Sequence, residues 1–167
     1  MRITTVAAIT TTAVAAIIAA PATASADTTP SCVTGQVQVS NGGQQAASGH
    51  RAVVLLFSLS TGGDPCTLTG YPWVDARVGG PLIHADQTMS GFMGGVRTPS
   101  PPTITLSPSR PAYAVVEGVA VDTSNPEHKC PTYTELQVIA PGTDETFTVG
   151  ADIETCSLQI HPVNSQP

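Results

Sequence analysis

Four cysteines, Cys32, Cys66, Cys130 and Cys156, stand far apart in a chain punctuated by Gly, Pro, Ser and Thr. No two are two to four residues apart, the spacing that structural zinc sites need. An even number of widely spaced cysteines reads as two disulfides if the chain leaves the cytoplasm. Such bridges tie distant segments together and favour a strand-and-loop fold.

The first 26 residues supply that condition. Arg2 precedes an uncharged run from Val6 to Ala20, Pro21 breaks the run, and Ala24-Ser25-Ala26 is the small-x-small pattern that signal peptidase cleaves. These are the three parts of a secretory signal, with cleavage expected after Ala26. The run is short and threonine-diluted for a membrane span of about 20 apolar residues. No lipobox precedes Cys32, where Thr29-Pro30-Ser31 stand. The expected product is therefore secreted, with no transmembrane segment in the mature chain, and is released or held at the cell wall. Residues 27–31 read as a short flexible start, 32–163 as one domain and 164–167 as a tail.

The 141 residues after Ala26 form one domain's worth of chain. Five cations face twelve carboxylates there, a net charge of −7. That balance lacks the cationic footprint that nucleic acid or an anionic membrane would require.

Apolar residues alternate or run in short Val/Ile/Leu blocks, with turn residues between them, so the mature region reads as strands. Val33, Val37 and Val39 mark a first strand over 33–40, and SNGGQQAASG reads as a loop. RAVVLLFSLS (51–60) is continuous and apolar, as for an interior strand. CTLTGYPWV (66–74), PLIHA (81–85), TITL (103–106), AYAVVEGVAV (112–121), TELQVIA (134–140), FTV (147–149) and CSLQIHPV (156–163) supply the rest. The predicted fold is all-β, an immunoglobulin-like antiparallel β-sandwich stapled by disulfides. Residues 86–102 read as a long Gly/Ser/Pro-rich loop.

Hairpin register suggests the pairing of the cysteines. A turn centred near residue 143 leaves Cys130 and Cys156 each 13 residues away, and the first two strands bring Cys32 close to Cys66. The expected bridges are Cys32–Cys66 and Cys130–Cys156.

The order Cys32, AASGHRAVVLLFSLS, CTLTGYPWV, LSPSRPAYAVVEG, a Cys before a strand ending in Pro141-Gly142, then CSLQIHPV resembles the domain of unknown function 4232 family. Its members are exported or lipid-anchored actinobacterial proteins. The resemblance spans residues 32–163, and CTLTGYPWV is its most specific element. A Trp common near the end of the family's long strand is replaced here by Glu117. The resemblance implies compartment and fold and supplies no catalytic residue.

Gly70-Tyr71-Pro72 reads as a structural corner: Gly permits a positive φ, Pro fixes the next turn, and Tyr71 can place its hydroxyl on a backbone carbonyl. Trp73, Met89, Phe92, Met93 and Arg97 form the candidate binding surface. No nucleophile elbow and no His-Glu-x-x-His occurs. His50 and His128 read as surface residues, and His161 as strand packing. The leading expectation is a non-enzymatic binding or structural module without a cofactor, whose partner is an extracytoplasmic protein, peptide or glycan. A second reading makes it an extracytoplasmic copper protein, because His84, Met89 and Met93 offer soft ligands for Cu(I). A third makes it a hydrolase of unassigned type.

Overall fold

The computed structural model describes residues 28–167. The expected secretory signal, with its cleavage position after Ala26, lies outside the described residues. Eleven strands follow among those described: β1 (Val37–Ala47), β2 (His50–Leu59), β3 (Cys66–Thr69), β4 (Trp73–Val78), β5 (Ile83–His84), β6 (Asp86–Gln87), β7 (Thr103–Leu106), β8 (Ala112–Val119), β9 (Thr132–Ile139), β10 (Thr146–Glu154) and β11 (Ser157–Ile160). They form a five-stranded sheet in the order β1-β2-β8-β11-β6, a four-stranded sheet in the order β10-β9-β4-β5, and a two-stranded sheet of β3 and β7. Neighbours are antiparallel except β11 and β6. The protein is all-β, a disulfide-stapled sandwich.

The core lies between the two larger sheets. Val53, Leu55 and Phe57 of β2 and Ala114 and Val116 of β8 meet Val74 and Ala76 of β4 and Leu136 and Val138 of β9. Val74 and Ala76 of β4, and Leu136 and Val138 of β9, turn inward at the period of a strand with one wet face, and the period breaks at Arg77–Val78 and Thr134–Glu135. The two central strands β2 and β8 differ, because they are buried on both faces. Their continuous apolar sequence is the physical counterpart of that double burial.

SNGGQQAASG is not a loop. Its residues 41–47 continue β1 along β2, with a register shift between Asn41 and Gly43. The Asn41 side chain secures the irregularity, donating to the Gly150 carbonyl at 2.8 Å and accepting from the Gly43 N–H at 2.8 Å. Ser48 and Gly49, both at positive φ, then close a two-residue hairpin onto His50. The segment carries no apolar alternation because it is an exposed edge strand, held by its ladder rather than by burial.

The bridges are Cys32–Cys66 and Cys130–Cys156. The first fastens the incoming chain to β3. The second joins the segment before β9 to the segment after β10. Gly70 adopts φ +102° and accepts the Val163 N–H through its carbonyl, and Pro72 is buried beside it. Tyr71 is only half-buried. A buried hydroxyl-to-carbonyl lock is made by Tyr133, whose hydroxyl donates to the Pro81 carbonyl at 2.6 Å. Burial pushes that phenol above its ordinary pKa.

Candidate functional site

Three side-chain clusters merit comparison as sites, and the first is buried. Even-numbered residues of β8 face the sandwich core, so Glu117 points to the opposite face of the five-stranded sheet. It is nevertheless only 3 % exposed. The segment Thr88–Val96 covers that face like a strap, with Val115 beneath its Gly94.

Glu117 holds the strap in place. Its Oε1 lies 2.6 Å from His50 Nδ1 and accepts the Phe92 N–H at 3.1 Å, while Oε2 lies 3.2 Å from His161 Nε2 and accepts the Met93 N–H at 3.0 Å. His161, fully buried, turns its Nδ1 to the hydroxyl and carbonyl of Thr88, both at 3.1 Å. Burial by itself would raise the Glu117 pKa. Hydrogen bonds from the Met93 N–H, His161, His50 and the Phe92 N–H outweigh it and hold the carboxyl below its ordinary value of 4.5.

The strap is glycine-rich because it lies so close. A Cβ on Gly91 would collide with Glu117 Oε2, and one on Gly94 would stand 2.6 Å from Val115 Cβ. Phe92 stacks one ring face on His50, with centroids 4.4 Å apart, and leaves 60 % of its surface exposed. Met89 and Met93 are half-buried in the strap, and Arg97 is exposed just beyond it.

A second cluster occupies the outer face of the four-stranded sheet. Trp73, half-exposed, packs against His84 with centroids 3.8 Å apart and ring planes tilted by 38°. His84 Nδ1 lies 2.8 Å from Asp75 Oδ1, and Arg77 reaches the other Asp75 oxygen at 3.5 Å. Strand register lines up two rows across this face. One row is Trp73, Ile139 and Thr146; the next is His84, Asp75, Gln137 and Thr148. Four strands at the usual spacing make a surface roughly 14 Å wide.

The third cluster surrounds the Cys130–Cys156 bridge. His128 Nδ1 lies 3.1 Å from Asp122 Oδ2 and 3.9 Å from Cys156 Sγ. Asp122 accepts from the hydroxyl and N–H of Ser124 and from the Asn125 N–H, which lowers its pKa to about 2. One ligand-type atom each of Asp122, His128 and Cys156 lies within 4.8 Å of the others, but the sulfur is bonded to Cys130.

The proposed copper set is distributed over two sheets. His84 belongs to the four-stranded sheet, with its Nδ1 on Asp75, whereas Met89 and Met93 lie in the strap over the five-stranded sheet. His50, partly exposed, and His161, fully buried, both meet Glu117. Phe92, Met89 and Met93 share the strap, while Trp73 stands on the other sheet. The sequence signal for the buried cluster was slight: an acid in an otherwise apolar central strand, opposite a Gly-rich segment.

The fold and its clusters define a class: a two-bridge β-sandwich with a strapped outer face and an exposed aromatic on the opposite sheet. The family described as Domain of unknown function (DUF4232) matches residues 32–164, and the chain belongs to that family. No curated protein and no solved structure matches it.

Proposed function

We propose that this is an exported, non-catalytic binding module that takes up glycan on the outer face of its four-stranded sheet. The observation that carries the reading is Trp73: a large aromatic ring, half-exposed on a sheet face and steadied against His84, which Asp75 orients. Exposed aromatic rings offer an apolar face with little ordering cost, the chemistry that the C–H face of a sugar ring needs. The neighbouring row of His84, Asp75, Gln137 and Thr148 supplies donors and acceptors for hydroxyl groups at strand spacing.

Export rests on the secretory pattern of residues 1–26 and on two bridges, which persist in oxidising compartments. A non-catalytic role is supported by the state of the buried acid–imidazole cluster. Both oxygens of Glu117 are engaged by four donors and covered by the strap. The place of action is the cell envelope or the medium.

Retention of the oxidised protein on insoluble cell-wall polysaccharide tests the reading. Trp73→Ala is expected to weaken retention about tenfold or more, equivalent to about 1.4 kcal/mol. Equal retention of the variant and the parent protein would sink the assignment to this face.

A further inference from the structure

The two disulfides sit in different chemical surroundings. Cys32 and Cys66 are both sealed in the core, at 2 % and 0 % exposure. In the other bridge Cys130 is buried, but Cys156 is partly exposed and lines a cavity of about 500 Å³. Apolar walls from Pro81, Ile83, Pro131 and Tyr133 border that cavity, and Lys129, His128 and Asp122 stand at its polar side. His128 is held there by Asp122, itself anchored by the Ser124 and Asn125 donors, with its Nδ1 3.9 Å from Cys156 Sγ.

An attacking thiol must be a thiolate, must reach one sulfur, and is favoured by nearby cationic or proton-accepting groups. Only the second bridge meets all three conditions. We propose that Cys130–Cys156 is an exchange site for small thiols, which enter through the cavity and attack Cys156.

The step balances without a further reactant. His128 Nδ1 donates its hydrogen to the Asp122 carboxylate, so the proton of R–SH passes to Nε2 of the same ring, and Lys129 favours the resulting thiolate. The thiolate sulfur bonds to Cys156 Sγ, the Cys130–Cys156 bond breaks, and its electron pair leaves on Cys130 Sγ, which takes up a proton. The products are a mixed disulfide on Cys156 and a free Cys130 thiol. A second thiol molecule attacking the mixed disulfide would release R–S–S–R and leave both cysteines reduced.

The test treats folded, oxidised protein with reduced glutathione, blocks free thiols with iodoacetamide and maps the peptides by mass spectrometry. The expected pattern is glutathione on Cys156, the alkyl group on Cys130 and an intact Cys32–Cys66 bridge. His128→Ala should slow adduct formation about tenfold or more, with an unchanged melting temperature, and added imidazole should restore part of the rate. His128→Gln, which can still hydrogen-bond Asp122, should be equally slow. Reaction of Cys32–Cys66 at the same rate, an adduct on Cys130, or an unaltered rate in both His128 variants would overturn the proposal.

Discussion

His50 Nδ1 and Glu117 Oε1 lie 2.6 Å apart although 67 residues separate them in the chain. His50 opens β2 and Glu117 stands near the end of β8, the strand beside it. Their meeting places a carboxylate beneath the strap, where His161 and two strap N–H groups complete its shell. Glu117 therefore joins β2, β8, the chain after β11 and the Gly-rich segment in one polar contact.

Removing that carboxylate should be costly. Glu117→Ala leaves the buried imidazole of His161 and the N–H groups of Phe92 and Met93 without their acceptor. The expected loss is about 3 kcal/mol or more, the scale for breaking a buried charged network. Glu117→Gln keeps the volume and one acceptor, so its loss should be smaller. Urea unfolding of the three proteins at pH 7 measures both.

Acid should act through the same group. The folded carboxyl titrates below 4.5, so between that value and the lower folded one the unfolded chain binds the extra proton. The contribution of Glu117 is complete above the unfolded value and disappears as pH falls through the folded one. The urea midpoint of the parent protein should fall more steeply between pH 5 and pH 3 than that of Glu117→Gln. Parallel curves would contradict this.

Strap packing can be probed with a single methyl group. Gly91→Ala drives a Cβ into Glu117 Oε2, and the strap must lift to accept it. Overpacking of this kind costs about 1–3 kcal/mol. Hydrogen exchange at the Phe92 and Met93 amides should quicken, while amides of β9 and β10 on the other sheet keep their protection.

Tyr133→Phe deletes one hydroxyl from a fully buried ring and frees the Pro81 carbonyl. A loss of about 1 kcal/mol is expected. Tyr71→Phe, at a half-buried ring, should change stability less. Thermal unfolding of the two variants side by side checks which tyrosine locks the corner.

Much of the architecture was legible in the residues themselves. The run Val53–Phe57 and the alternation of β4 and β9 reflect burial on two faces or one, and burial is what apolar patterning records. Edge pairing leaves no such record, which is why Asn41–Ala47 resembles a loop in sequence and yet forms a ladder with β2. Gly70 at φ +102° and the buried Pro72 shape the turn around Tyr71. Tyr71 stands beside a proper turn, but which ring is buried depends on how β9 lies against the chain before β5.

The all-β class and the two cysteine pairs could be read from the residues alone, because period, turn residues and hairpin register are local or nearly so. Tertiary structure alone decided the clusters. Glu117 meets His161 across 44 residues and His50 across 67, and His84 meets Trp73 through antiparallel pairing of β4 and β5. Such contacts depend on sheet order and on which face a strand turns outward. A single Glu in an apolar strand is compatible with many surroundings, and only the strap that folds over it makes it a buried, shared acceptor.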